Sequence, residues 1–179
     1  MFKRLAVGEF YHLLGFGPCV LITSGDEKRG NVAPIAWTTP VNDDPALAGI
    51  VVAETHYTTE LILRKKQFVI NVPPLELLKP LKFCGSVSGR KGDKFAKTGL
   101  RLERGVKVRT PHLKDAIAFI ECALLWKRNF GGVYLFVGKV LHAAAEKSCY
   151  KNGVLTARAR TFHHLAGGSF ALTGRRVSA

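Results

Sequence analysis

The sequence is poor in acidic residues and cysteine, and it contains no long apolar run. Only 13 Asp and Glu accompany 27 Lys and Arg in 179 residues. The most apolar stretch, residues 116–126, contains Glu121 and is far shorter than the ~20 residues of a membrane-spanning helix. The basic first residues are not followed by the apolar segment and cleavage site of a secretion signal. We therefore expect a cytoplasmic protein with no membrane partner.

Metal-binding and nucleophile motifs are also missing. The four cysteines, Cys19, Cys84, Cys122 and Cys149, form no CxxC pair or Cys/His cluster, so we expect free thiols and no metal site. The segment 85–92 resembles a phosphate-binding loop, but it is one residue short between its glycines and lacks the Lys-Ser/Thr pair. A GxSxG serine motif is absent as well. These motifs therefore supply no catalytic residue.

The shortage of acidic residues is uneven along the chain. Residues 1–59 hold four Lys/Arg and six Asp/Glu, whereas residues 60–179 hold 23 and 7, and the net charge is +14. A basic surplus of this size favours a nucleic-acid ligand, because clustered cations displace phosphate counterions. It also suits an anionic small ligand that the field of the protein attracts. Charge alone leaves both interpretations open.

Strand patterns dominate the chain, and the composition, 47% hydrophobic and 22% charged, is typical of one globular domain over residues 1–179. The patterns predict strands at 19–23, 31–38, 48–53 (buried) and 67–72, and a hairpin of strands 116–127 and 133–143. They predict helices at 9–14, 58–66 and 75–83, the last of which Pro80 ends or kinks. A loop is expected at 40–45 and a single helical turn at 93–97. Residues 151–179 are expected to form a C-terminal tail over the surface. Together these elements favour a β-barrel with short helical insertions.

One constellation suggests a ligand. A buried strand ends at residue 54, and the chain enters a helix at Thr58 and Thr59 after passing His56. A helix start offers free N–H groups and the positive end of the helix dipole, which suit a phosphate monoester. Alternatively, Thr58 or Thr59 only caps the helix. Glu60 would repel a phosphate unless it points away.

The preceding segment, residues 30–40, alternates polar and apolar residues and ends in two hydroxyls before a proline. A flat heteroaromatic ring needs this mixture, with polar groups for its edge and apolar walls for its faces. Trp37, taken alone, would also suit a core position.

These segments occur in an order that resembles a known family. The order is GNVAPIAWTTPVNDDP at 30–45, ETHYTTELI at 54–62, QFVINVP at 67–73 and CGSVSGRKGDKF at 84–95. It is similar to that of the flavin reductase-like family, the FMN-binding split barrels that include flavoredoxin. The likeness continues through residues 111–113, 120–122, 136–140 and 162–168. It therefore covers most of the chain.

The resemblance implies a mainly β fold, a Greek-key type split barrel, that forms a homodimer with FMN near the subunit interface. By position, the isoalloxazine ring would be approached by Asn31, Ala33, Pro34, Ile35, Thr38 and Thr39. The ribityl phosphate would be held by His56, Thr58 and Thr59, with Ser88 and Lys94 as further cofactor-binding candidates. Lys94 could instead be an ordinary solvated lysine. Cys84 could be redox-active beside the flavin or an inert core residue.

The function that the resemblance implies is an FMN-dependent oxidoreductase, either an NAD(P)H-dependent flavin reductase or a flavoredoxin-like electron carrier. NADH or NADPH would supply electrons, and a redox protein or oxygenase could receive them. The flavin carries such chemistry, so no catalytic side chain is required. One alternative is a flavin- or nucleotide-binding protein without catalysis. A nucleic-acid-binding protein is a weaker alternative, because aromatic residues do not interleave with the basic clusters.

Overall fold

A computed structural model describes residues 17–174, which fold around one antiparallel sheet. The order of its strands is β2-β1-β5-β8-β9-β4-β3. The strands of this sheet are β1 (Val20–Gly25), β2 (Gly30–Ile35), β3 (Thr38–Asp43), β4 (Ala46–Ala53), β5 (Gln67–Val72), β8 (Ala118–Asn129) and β9 (Val133–Ala145). The short strands pair among themselves and are β6 (Leu102–Glu103), β7 (His112–Leu113), β10 (Tyr150–Lys151), β11 (Val154–Leu155), β12 (Phe162–Ala166) and β13 (Ser169–Leu172).

The helices are short insertions between strands. Helix α1 (Tyr57–Lys65) connects β4 to β5, and α2 (Leu78–Ser86) and α3 (Lys94–Thr98) lie between β5 and β6. Asp93 caps α3 by accepting hydrogen bonds from two backbone amides, at 2.8 and 3.2 Å. The predicted mainly β fold with short helical insertions is therefore confirmed.

Strand β1 is buried on both faces, and its apolar first half supplies side chains to a core on each side of the sheet. Val20 and Ile22 pack into a core that includes Phe68 and Phe136. Leu21 points to the opposite face and packs into a second core with residues of β2, α2 and β12. Helix α2 is thus held against β2.

The chain approaches itself closely at one glycine of the main sheet. A Cβ at Gly138 of β9 would lie 2.7 Å from both Cys122 and the ring of Phe68. Both neighbours are fully buried, so only glycine fits there without displacing the core.

Two sequence predictions about prolines were wrong. Residues 40–43 are not a loop but the last four residues of β3, because an edge strand tolerates the missing N–H of Pro40. Pro80 neither ends nor kinks α2. It lies in the first turn of that helix, where backbone N–H groups have no partner within the helix. The irregularity comes earlier, as a 3-10 turn at Leu75–Leu77.

The segment after residue 150 is more than a surface tail. Its short hairpins place Phe162 in the second core, where that ring is fully buried. The helix predicted at 9–14 lies outside the described residues. Within residues 17–174, no helix has both the length and the apolarity that crossing a membrane requires.

Candidate functional site

A cleft of about 410 Å³ lies between β2, the start of α1 and residues 84–90. We call it the flavin cleft, because residues that the family resemblance assigns to flavin binding line it. Three segments separated by up to 50 residues meet here because α2 packs on β2 and α1 follows β4 directly. The site residues that the sequence predicted and that line this cleft are Asn31, Ala33, Pro34, His56, Thr58, Ser88 and Lys94.

Asn31 of β2 has one polar atom bonded and one without a partner in this cleft. Its Nδ2 donates to the hydroxyl of Thr58 at 2.9 Å, and the side chain is only 2% exposed. Its buried Oδ1 has no partner among the described residues. Gly89 lies directly against it, since a Cβ there would be 2.2 Å from Oδ1. A buried carbonyl oxygen without a donor is costly, so this atom suits a ligand that brings an O–H or N–H.

The start of α1 is free of side-chain caps. His56 occupies the N-cap position and makes no capping bond. The predicted caps were wrong, because Thr58 lies inside the helix and Thr59 donates its hydroxyl proton to the carbonyl of Ala53 at 2.8 Å. The amide of Thr59 donates to the carbonyl of His56 at 3.1 Å, so in the first turn the amides of Tyr57 and Thr58 are the ones available to an anion.

Arg90 adds a cation that the sequence interpretation did not include. Its Nη1 donates to the carbonyl of Thr55 at 3.0 Å, and its guanidinium lies 5.2 Å from the ring centre of Tyr57. Its Nη2 is 3.1 Å from the carboxylate of Glu60. This ion pair offsets the negative charge that would otherwise repel a phosphate at the start of α1. Arg90 lies in the segment 84–95, which carries the family resemblance, and this was the sequence feature that could have identified it.

Lys94 is a buried cation at the wall of the same cleft. Its ammonium donates to the carbonyls of Val32 at 2.8 Å and Cys84 at 2.7 Å, and the residue is 5% exposed. Burial lowers its pKa below the ordinary lysine value. The solvated alternative was therefore wrong. Two of the three ammonium protons are used, and no described carboxylate lies within ion-pair distance, so the site favours an anion.

The charges of Lys94 and Arg90 also act on His56. Partial burial lowers the pKa of its imidazole, and the two nearby cations lower it further. The part of this shift that Lys94 and Arg90 cause reflects a positive potential in the cleft, in which an anionic ligand would be stabilised.

Cys84 lines the cleft, but its thiol is not activated for reaction. It is 1% exposed, and burial raises the pKa of its thiol, so the reactive thiolate is disfavoured. All four cysteines are free. Among residues 17–174 no group of three or more His, Cys, Asp or Glu side chains is arranged to hold a metal ion.

Four of the predicted site residues do not line the cleft. Ile35 packs in the first core, and Thr59 is buried against the end of β4. Thr38 and Thr39 lie on β3, at the far end of the sheet order from β2. Residues that line the cleft and were not predicted are Thr55, Tyr57, Gly85, Ser86, Val87, Gly89 and Arg90, together with Cys84.

Comparison with known proteins places this geometry in a family. The flavin reductase like domain matches residues 16–166. An uncharacterised protein of Escherichia coli strain K12, YddH, is 36% identical over 96% of each chain. The crystal structure of a flavoredoxin from Methanosarcina acetivorans superimposes with a TM-score of 0.87 at 24% identity, covering 100% of this chain and 95% of that one.

A second solved structure is named for its cofactor. The FMN-binding domain of a flavin reductases-like enzyme from Shewanella baltica OS155 has a TM-score of 0.84 at 25% identity, covering 99% of this chain and 96% of that one. A flavin reductase-like protein with a split barrel domain from Shewanella frigidimarina NCIMB 400 has the same fold, with a TM-score of 0.85 at 14% identity, which matches the predicted architecture. The family match covers most of the sequence, from the segment before β1 to the end of β12. This chain therefore belongs to the flavin reductase-like domain family.

Proposed function

We propose that this protein is an FMN-binding oxidoreductase that uses NADH or NADPH as its electron donor and passes the electrons to free flavin or to a protein acceptor. The observation that carries the proposal is the buried, unpartnered Oδ1 of Asn31 in a cleft lined by cations. Membership of a flavin reductase-like family supports the redox chemistry.

The residues of the flavin cleft fit FMN in both its polar and apolar parts. The uncapped start of α1, with His56, Ser88 and Arg90, would hold the phosphate. Asn31 Oδ1 would accept from a ribityl hydroxyl or from the ring N–H. Ala33 and Pro34 would offer apolar contact to the ring.

FMN, when bound, supplies the two-electron chemistry, and the protein supplies placement and charge. Lys94 would keep a positive charge at the wall of the cleft, held there by two backbone carbonyls. Such a fixed charge stabilises negative charge on a ligand without reorganisation of the side chain. The ion pair of Arg90 with Glu60 keeps the acidic side chain from opposing it.

We also propose that the protein is a homodimer with FMN near the subunit interface. The outward face of β4 and β9 has an apolar centre, where Gly49 pairs with Val137 and Val51 pairs with Leu135, and Lys139 and Arg128 lie at its margins. Trp126 of β8 lies beside Val137 on this face. A second copy would cover it, and Thr38 and Thr39 of β3 would then lie close to the partner subunit.

The test is an absorption spectrum of the purified protein, identification of the flavin that heat releases, and assays of NADH and NADPH oxidation with added FMN. We expect a yellow protein, released FMN, and oxidation of at least one nicotinamide. Protein that stays colourless after addition of FMN would overturn the proposal. Protein that binds FMN but oxidises neither nicotinamide would be a carrier, store or sensor of flavin instead.

A further inference from the structure

A second cavity, here called the side pocket, adjoins the flavin cleft. It has a volume of about 430 Å³ and lies between α2 and the hairpin of β12 and β13. Pro34, Gly85 and Ser86 line both cavities. A molecule in the side pocket would therefore share a wall with a flavin in the cleft.

The interior of the side pocket is apolar and has one flat aromatic wall. Ala36 and Leu81 contribute aliphatic surface. The ring of Phe170 lies edge-on to the buried Phe162, with ring centres 5.7 Å apart, and contacts His164 at 5.2 Å. These contacts fix the ring in place, so it can receive another ring by stacking or edge contact.

The thiol of Cys19 does not change this apolar character. Burial raises the pKa of Cys19 to about 11, so the side chain is a neutral thiol at physiological pH. The Nε2 of His164 is bonded to the carbonyl of Gly167 at 3.0 Å, which occupies that nitrogen. A long polar ligand would therefore find few partners inside.

The mouth of the side pocket has a cation. Lys82 of α2 lines the pocket, and its Nζ lies 3.8 Å from where a Cβ at Gly168 would be, over the turn between β12 and β13. No carboxylate within residues 17–174 is within ion-pair distance of Lys82. The free ammonium at the rim of an apolar slot complements an amphiphilic anion.

We infer that the side pocket binds a small organic carboxylate that carries an aromatic or alicyclic ring. The ring packs against Phe170 and Leu81, and the carboxylate meets Lys82 at the mouth. A nucleotide has more polar surface than these walls can satisfy, and a simple inorganic anion would leave the apolar interior empty. A role for this ligand beside a bound flavin rests on the proposed function. The binding of the carboxylate to the side pocket does not depend on it.

Ligand-observed NMR titrations of the full chain test the inference, with and without FMN. The probes are benzoate, its neutral counterpart benzamide, and acetate. We expect benzoate to bind with a Kd below about 10 mM, and acetate to show no binding. Lys82→Met should weaken benzoate about fivefold or more and leave benzamide unchanged. Phe170→Leu should weaken both aromatic probes.

The matched control is Lys79→Met, which removes another exposed lysine of α2 that does not line the pocket. Equal benzoate affinity in the Lys82 and Lys79 variants would overturn the inference, as would failure of every probe to bind the wild-type chain. Competition between benzoate and FMN would also overturn it, because the pocket would then be part of the cofactor site. Benzoate binding that depends on Lys82 in a chain that does not bind FMN would retain the inference and reject the proposed function.

Discussion

Two buried asparagines with different hydrogen-bonding states allow ligand binding to be separated from folding. Asn31 in the flavin cleft leaves its Oδ1 without a described partner. We predict that Asn31→Ala weakens FMN binding about tenfold, because a donor of the ligand loses its buried acceptor. Titration of flavin fluorescence measures the affinity. An unchanged Kd would show that Asn31 does not contact the cofactor.

Asn71 is the control for this substitution, because its side chain is fully engaged within the protein. It donates to the carbonyl of Leu21 at 2.9 Å and accepts from the amide of Leu113 at 2.7 Å. Asn71→Ala should therefore lower the free energy of unfolding by about 2–3 kcal/mol, which urea denaturation without FMN measures. Asn31→Ala should cost less stability than that in the same measurement, since it breaks fewer internal bonds.

We predict that the affinity for FMN falls as the pH rises above neutral, because Lys94 loses its proton. Burial lowers the pKa of its ammonium in the free protein, and an anion in the cleft would raise it again. Between these two pKa values the complex holds more protons than the free protein, so Kd rises as the pH rises. FMN titrations between about pH 7 and about pH 10 measure this slope. Lys94→Met should flatten it, and an identical slope in that variant would assign the titration to the flavin itself.

At the scale of elements, the segment between α2 and α3 is held to α1 by Arg90. This side chain bonds the carbonyl of Thr55 and pairs with Glu60. Because the pair is about half exposed, Arg90→Ala should change stability by less than about 1 kcal/mol. We predict that it weakens FMN binding about tenfold or more, since Glu60 is left uncompensated beside the phosphate site.

Arg64 offers a matched comparison, because it contacts the same carboxylate of Glu60, at 4.0 Å, without lining the cleft. Arg64→Ala should leave FMN affinity unchanged, and Glu60→Gln should partly restore affinity in the Arg90 variant. Equal losses in the two arginine variants would show that general surface charge, rather than the held segment, governs binding.

The elements themselves were largely predictable where local sequence decides them. The strand at 67–72 carries its signal in an apolar run that two prolines close, and the hairpin around residues 129–132 carries its signal in turn chemistry. The course of the chain around Pro40 and Pro80 was not predictable in this way. Whether a proline is tolerated depends on its position at a sheet edge or in a first helical turn, and only the assembled fold determines that position.

The same limit applies to the candidate site. Asn31 and Thr58 were predicted separately, from a ring-binding segment and a helix start, and the structure joins them by a hydrogen bond. Arg90 was missed because its role depends on the packing of its segment against α1. The burial of Lys94 depends in turn on backbone carbonyls of β2 and α2 that approach it in space.

At the scale of the whole molecule, we predict that a charge introduced on the face of β3 dissociates the proposed dimer. Val41 is 46% exposed and contacts the position where a Cβ at Gly49 would be, at 3.1 Å. Val41→Arg should shift the protein from twice the chain mass to one chain mass in sedimentation velocity, because the interface would bury an unpaired charge. Val106→Arg, which alters a more exposed valine elsewhere (57%), should leave the mass unchanged. A wild-type monomer would contradict the dimer directly.

The net charge of +14 is a property of the whole chain, and the comparison of FMN with riboflavin tests its role. The surplus begins at residue 60, close to the start of α1 and to Arg90, where the phosphate is proposed to bind. A positive field there accelerates encounter with an anion, and salt screens it. The association rate of FMN should therefore fall about tenfold between about 20 mM and about 500 mM NaCl, measured by stopped-flow fluorescence. Riboflavin, which has the same ring without the phosphate, should show little change. Equal salt dependence for the two flavins would mean that the basic surplus serves another anionic partner, for which a salt-sensitive gel shift with unrelated DNA is the next measurement.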